Sequence, residues 1–218
     1  MNQSMERVHE YAVALCKAAR VFTLVQIAKH PELSWRTQPR KRAGEFLGPW
    51  KKEFEVLPAM HGKPFVWRFS TKGKALYGAE YLRIHPASKK IDHWLTIGDL
   101  WQAMTHTAGR PSTFLTEPKD SCDFDIYTVW QNRPYLIEIQ RSKLSSKEWS
   151  KKWCKREKWY QEQGYKNAPW QNGKTIIVPR PILICTEGVK ATNVPGFVMN
   201  FDSIDSFTQK MSSKLQVK

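Results

Sequence analysis

The spacing of hydrophobic positions predicts helices at the start of the chain. Apolar residues recur every three or four positions over residues 4–19, which indicates an amphipathic helix. Two shorter helices are predicted, one at 23–29, ending before Pro31, and one at 39–47, with Pro39 in its first turn. The first fifty residues therefore favour three consecutive helices.

A different pattern follows these helices. Residues 53–58 and 64–70 are two β-prone runs joined by a turn with a glycine, and Ser70 is a suitable cap for a further helix. Three helices followed by a hairpin are the order of a winged helix-turn-helix, which we expect over residues 1–84. A small helical domain for protein contacts, or a winged helix that binds no DNA, are the alternatives.

Basic residues cluster at the start of the third predicted helix, which in a winged helix-turn-helix enters the major groove. We expect these side chains to bind DNA, mainly through phosphate, which positions the protein without reading sequence. They are Arg36, Arg40, Lys41 and Arg42.

The second half of the chain alternates strands and helices. Residues 85–92 are polar and contain a proline, which favours a linker, and the segment 93–218 is predicted to form a separate α/β domain with a central mixed sheet flanked by helices. Helices are predicted at 94–106, 145–161 and 202–213, and strands at 112–117, 123–130, 133–140, 174–178 and 181–186.

Charge and composition indicate a polyanionic partner. The formal net charge of +15 on 218 residues favours nucleic acid, although a strongly charged soluble surface is the alternative. Ten tryptophans interleaved with basic residues add the capacity to stack on bases. The four scattered cysteines include no CxxC pair, and no apolar run reaches the roughly 20 residues of a membrane span. We expect a cytoplasmic protein that contacts no membrane.

Two carboxylates are predicted to converge in the second half. Asp125 begins one strand and Glu138 lies within the next, and the tight turn QNRP between them makes the strands antiparallel. Ile137 and Ile139 point to the opposite face of the strand, whereas Gln140 shares the face of Glu138. Converging carboxylates repel unless a cation lies between them, and oxygen ligands suit Mg²⁺ or Mn²⁺. Solvated acids at strand ends are the alternative.

The segments F124-D125 and I137-E138-I139-Q140 resemble the PD-(D/E)xK nuclease superfamily in its E-x-Q form. The block from IEIQRS to Tyr160 is similar to competence CoiA-like nucleases, in which such a strand leads to a helix with R-x-x-x-Y. The overall plan also resembles replication-relaxation proteins of plasmids and phages.

The resemblance implies metal-dependent cleavage of DNA, with Asp125 and Glu138 as metal ligands. Asp123 is a rival or additional ligand, and Glu117 is a further one. Gln140 takes the position of the family's lysine and cannot supply its positive charge. We expect a nearby lysine to replace it, either Lys143 or Lys158.

The helix at 145–161 carries two further sets of candidates. Arg156 and Tyr160 are one turn apart, so they either bind phosphate or brace the helix on the sheet. Four lysines toward another face form either a phosphate-binding track or a solvated surface: Lys147, Lys151, Lys155 and Lys158.

The sequence thus predicts a Mg²⁺-dependent DNA endonuclease, structure-selective, acting in replication, recombination or transposition of a phage or mobile element. One alternative is an inactive DNA-binding accessory protein that uses the nuclease-like fold as a clamp. The other is a module that recruits a recombinase or replication partner. A homodimer is compatible with double-strand cleavage, which needs two sites.

Overall fold

The fold is described by a computed structural model. It describes residues 2–57, 65–82, 84–85, 88–171, 173, 175–191 and 193–213, the last without its side chain. The predicted turn at 59–63 lies outside the described residues. The chain divides into two compact units, Met1–Gln102 and Ala103–Lys218.

Unit 1 combines helices with a three-stranded antiparallel sheet. The strands β1 (Val21–Thr23), β2 (Phe54–Val56) and β3 (Val66–Phe69) pair in the order β1-β3-β2. The helices are α1 (Gln3–Ala19), α2 (Leu24–Ala28), α3 (Pro31–Ser34), α4 (Pro39–Leu47) and α5 (Thr71–Tyr77), with a 3₁₀ turn at Gly48–Trp50 after α4.

Local sequence signals fix several of these helix ends. Thr23 and Gln26 form a capping box at the start of α2, and Ser70 caps α5 by accepting a hydrogen bond from the backbone of Gly73. The predicted helices at 4–19 and 39–47 and the cap at Ser70 are confirmed. Strand β1 and helix α3 were not predicted, because each is only three or four residues long.

The boundary between the units differs from the predicted linker. Helix α6 begins at Ile91 and runs to Ala108, so the units divide inside this helix, between Gln102 and Ala103. The first part of α6 packs into unit 1: the Gln102 amide donates to the Tyr11 hydroxyl and to the carbonyl of Gln26, both at 2.7 Å. The helix is thus shared between the units.

Unit 2 is an α/β layer with a five-stranded mixed sheet. The order is β4-β5-β6-β7-β8, antiparallel from β4 to β6 and parallel from β6 to β8. The strands are β4 (Thr113–Thr116), β5 (Ile126–Trp130), β6 (Arg133–Gln140), β7 (Arg180–Cys185) and β8 (Met199–Phe201). The helices are α7 (Ser146–Gln161) and α8 (Ile204–Ser213), with a 3₁₀ turn at Gly164–Asn167. The predicted α/β class with a mixed sheet is confirmed.

The two faces of the sheet bury different side chains. On the α7 face, Leu136 joins Tyr127 and Trp153 in a buried apolar cluster. On the other face, Tyr135 and Trp130 contact Phe207 of α8. Because side chains alternate along β6, Glu138 and Gln140 lie on the α7 face with Leu136.

One predicted strand is wrong. Residues 175–179 form no strand, although their sequence is β-prone, and Ile176 and Val178 are half exposed. The side-chain amide of Gln171 forms hydrogen bonds with both backbone groups of Ile177: it donates to the carbonyl at 2.6 Å and accepts from the N–H at 2.9 Å. A neighbouring strand would otherwise make these bonds. Strand β8, three residues long, was not predicted.

No helix among the described residues is long and apolar enough to cross a bilayer.

Candidate carboxylate and lysine site

The turn between β5 and β6 aligns the two predicted carboxylates. Gln131 and Asn132 both have positive φ, 53° and 59°, as a two-residue hairpin turn requires. The ladder pairs Ile126 with Ile137, so Asp125, just before β5, lies beside Glu138 of β6. Asp125 Oδ2 also accepts a hydrogen bond from the Ile139 N–H at 2.7 Å. The structure therefore brings these two acids together.

Glu138 is a buried carboxylate with two cationic partners. Its side chain is 4% exposed, and its Oε2 accepts from the Arg156 guanidinium at 2.6 Å while its Oε1 contacts the Lys152 ammonium. Burial is the main cause that raises the pKa of Glu138, and the nearby Asp125 carboxylate adds to it. Arg156 and Lys152 act in the opposite direction and stabilise the charged form.

Arg156 is part of the core. Its side chain is 1% exposed, and its guanidinium stacks on Phe124 at 4.0 Å and donates to the carbonyl of Asp123 at 2.6 Å. These contacts tie α7 to the segment before β5 and hold Glu138 in place. Of the two roles that the sequence left open, bracing fits this burial, whereas contact with a DNA backbone needs an accessible side chain.

Tyr160 also braces α7. Its hydroxyl donates to the carbonyl of Pro179 at 3.0 Å, and its ring contacts Phe197 and Trp159. Burial raises the pKa of this hydroxyl. Trp153 of the same helix is buried in the core cluster, and Trp149 packs against it, so the stripe that these residues form with Arg156 and Tyr160 packs on the sheet.

The functional residue that the sequence did not single out is Lys152. It lies one turn before Arg156 on the same face of α7, and its side chain is 30% exposed. Neither Lys143, exposed between β6 and α7, nor Lys158, paired with Glu162 at 3.7 Å, contacts Glu138. The i, i+4 spacing of Lys152 and Arg156 was the available signal.

The other two predicted ligands lie in the segments that flank β4 and β5. Asp123 is 75% exposed and pairs with Lys155, whose ammonium lowers the pKa of that carboxyl. Glu117, the residue after β4, donates its backbone N–H to the carbonyl of Asp125 at 2.7 Å, so it lies opposite Asp125. Within the described ranges, no group of three or more His, Cys, Asp and Glu side chains is arranged to hold a metal ion.

Gln140 adds an unusual feature to the same face of β6. It is 5% exposed, and its amide nitrogen donates to the carbonyl of Ser142, whereas its oxygen is buried and has no hydrogen-bond partner in the described part of the chain. A buried polar atom without a partner costs about 1–3 kcal/mol, and the indole nitrogens of Trp149 and Trp153 share this feature, so it does not by itself mark a functional site.

The donor set fits a hard divalent cation under one condition. Asp125 and Glu138 supply adjacent carboxylates, the ligand type that Mg²⁺ prefers while it keeps several waters. Oε2 of Glu138 is held by the buried Arg156, so Oε1 is the oxygen that can reach a cation. Lys152 contacts this oxygen through a partly exposed, flexible side chain, and it must turn outward to release it.

A cleft of about 310 Å³ opens beside Lys152 and Arg156, the two cationic partners of Glu138. Three lysines of α7, Lys151, Lys152 and Lys155, line it together with Asp123 and Glu148. The four lysines predicted to form a track, Lys147, Lys151, Lys155 and Lys158, are exposed. In unit 1, Arg40, Lys41 and Arg42 are exposed, and Arg36 is partly buried.

Comparison with known proteins gives no relative. No family model matches the chain, no curated protein matches it in sequence, and no solved structure matches its fold.

Proposed function

We propose that unit 2 is a Mg²⁺-dependent DNA nuclease domain of the PD-(D/E)xK kind and that unit 1 is a winged helix which binds DNA. The observation that carries the proposal is the contact of the buried Glu138 with Lys152, beside Asp125. Two acids and one lysine are the three side chains that this chemistry requires.

Lys152 supplies the charge that Gln140 lacks. An ammonium beside the carboxylates is able to stabilise the negative charge that develops on the phosphate and to orient a water. It reaches the site from α7 rather than from β6, so the lysine position is filled from another element. Asp125 and Glu138 are the residues that would hold Mg²⁺, which would polarise the phosphodiester and lower the pKa of a bound water.

The lysines of α7 support DNA as the substrate. Lys151 and Lys155 line the same cleft as Lys152, so a phosphate backbone along α7 would pass the ammonium that contacts Glu138. In unit 1, the helices followed by the β2–β3 hairpin support the winged helix, and the basic residues at the start of α4 support backbone contact.

The test is cleavage of plasmid, single-stranded and branched DNA in Mg²⁺ or Mn²⁺ by the full chain. Asp125→Asn is the first variant, because asparagine keeps an oxygen for the Ile139 N–H and should not disturb the hairpin. Lys152→Met is the second. Each variant should lose about 10²-fold or more in cleavage rate while retaining DNA affinity. Absence of cleavage of any substrate by the unmodified protein would refute the proposal.

Lys158→Met is the matched control, because Lys158 is an exposed lysine of the same helix with a surface partner, Glu162. Its cleavage rate should stay within about 2-fold of the unmodified protein if DNA affinity is saturated. Removal of Glu138 is a poor test, because it would leave the buried Arg156 without its carboxylate and destabilise the fold.

The second candidate is a DNA clamp without catalysis. It is favoured by one observation: both oxygens of Glu138 are paired with cations of the chain itself. If unit 2 is such a clamp, Lys152→Met would lower the stability of the fold, and neither this variant nor the unmodified protein would cleave DNA. DNA affinity would be the same with Mg²⁺ or with a chelator.

A further inference from the structure

An exposed tryptophan in unit 1 lies among cationic side chains. Trp35 is 72% exposed, the largest value among the described large hydrophobic side chains. It follows directly after α3, and the basic residues at 36 and at 40–42 follow it. A single exposed apolar side chain is common, but a tryptophan next to this basic segment has the two features that contact single-stranded nucleic acid, a stacking ring and positive charge.

Trp35 is held in an orientation that leaves one face open. The Arg36 guanidinium lies over the ring at 4.6 Å, and the Arg36 Nε donates to the carbonyl of Glu32 at 2.7 Å, which fixes it on α3. Arg36 also lies over the Phe46 ring at 5.2 Å. One face of the indole is therefore covered by a cation, and the large exposed area belongs to the other face and the edge.

A groove of about 610 Å³ is lined by Ser34, the residue before Trp35, whereas Trp35 itself is not one of its lining residues. Its surface is mostly apolar, from Val25, Ala28 and Pro39, whereas Arg40 and Lys41 supply positive charge. The volume is in the range of small-molecule pockets. An apolar floor with cations at its edge matches a nucleobase with its phosphates.

We propose that the exposed ring of Trp35 stacks on an unpaired base of single-stranded DNA, while Arg40 and Lys41 of the groove contact the phosphates that follow it. Paired bases are stacked inside a duplex and offer no free face, so the site would select DNA with unpaired bases, such as gaps, forks or single strands. The inference rests on DNA as the partner in the proposed function and specifies the substrate class. Stacking on one aromatic ring changes affinity by roughly 5- to 150-fold.

The test compares binding of a labelled single strand and a duplex of equal length in a chelator. The protein is the full chain with Asp125→Asn, so binding is read separately from cleavage. Trp35→Ala should weaken single-strand binding roughly 5- to 150-fold and change duplex binding less than about 2-fold. Trp35→Phe should retain most of the single-strand affinity, because a phenyl ring can also stack.

Tyr81→Ala is the matched control, since Tyr81 is 69% exposed in the same unit and is not part of the basic cluster. It should leave both affinities unchanged. Equal losses on the two DNAs, no loss on either, or no DNA binding by the starting protein would each overturn the proposal. Absence of cleavage by the unmodified protein in Mg²⁺ or Mn²⁺, together with selective single-strand binding in this assay, would instead refute only the nuclease assignment.

Discussion

At the scale of single residues, the central feature is a carboxylate buried in an apolar sheet face. Glu138 is 4% exposed, a position that is costly for a charge unless cations compensate it. Arg156 supplies a buried, fixed cation and Lys152 a partly exposed, movable one. The two partners therefore have different roles: Arg156 maintains the fold, and Lys152 is the cation proposed to act on the phosphodiester.

Replacement of Arg156 tests this division. Arg156→Met should lower the free energy of unfolding by about 3–5 kcal/mol, because Glu138 would remain buried without its main partner. Urea unfolding measures the change. Lys155→Met, which removes an exposed pair on the same helix, should cost less than about 1 kcal/mol. Equal effects of the two substitutions would contradict a structural role for Arg156.

At the scale of elements, short-range signals predicted the β5–β6 hairpin and the cap at Ser70, whereas contacts between distant elements could not be predicted from local sequence patterns. The turn QNRP fixed the alignment of Asp125 with Glu138 because a two-residue turn allows one register. The role of Lys152 depends on how α7 lies on β6, which no local pattern encodes. The wrong strand at 174–178 has the same cause, because the bonds of Ile177 are made by the Gln171 side chain and not by a neighbouring strand.

The contact of α5 with the segment before β2 depends on one glycine. A Cβ at Gly73 would lie 2.0 Å from the carbonyl oxygen of Glu53, which is backbone and cannot swing aside. Gly73→Ala should therefore destabilise the protein by about 1–3 kcal/mol in thermal or urea unfolding. Gly48→Ala is the control, since its Cβ would meet nothing within 4 Å. A neutral Gly73→Ala would show that α5 moves freely relative to β2.

An acid links α1 to α3. Glu32 accepts from Ser4 and Arg7, both at 2.8 Å, and the Ser4 hydrogen bond followed by the Arg7 contact holds the pKa of Glu32 below its ordinary value. A carboxyl group whose pKa is lower in the folded than in the unfolded protein stabilises the fold at pH values above its unfolded pKa. This stabilisation is lost as the pH falls through the folded pKa. Glu32→Gln should thus unfold at a lower temperature than the unmodified protein at pH 7, and this difference should shrink in acid. A deficit independent of pH would contradict this linkage.

At the scale of the whole molecule, charge is the property that the amino-acid composition alone establishes. A formal net charge of +15 favours a polyanionic partner. Part of this charge lies on the exposed lysines of α7 and part on the exposed basic residues of α4. The sequence could not show which basic residues were accessible. Arg156 lies in the core although its neighbours in the sequence are exposed.

DNA affinity should fall steeply with salt, because phosphate contacts release counterions. Binding of a duplex measured between 50 and 200 mM salt gives the slope of log affinity against log salt concentration. Changing Lys147, Lys151, Lys155 and Lys158 to glutamine should reduce this slope by about 1 for each phosphate that the variant no longer binds. Lys119→Gln with Lys166→Gln, exposed lysines outside α7, is the control. An unchanged slope in the α7 variant would contradict a phosphate track on this helix.

The central claim is that Asp125 and Glu138 form a divalent metal site. The most direct measurement is a titration of Mn²⁺ into the metal-free protein, in which electron paramagnetic resonance counts the ions that remain free. We expect the unmodified chain to bind one Mn²⁺. Asp125→Asn should weaken this binding at least about tenfold, since loss of a residue that supports a metal ligand already has an effect of this size. Equal binding by the two proteins, or no binding by either, would contradict the account.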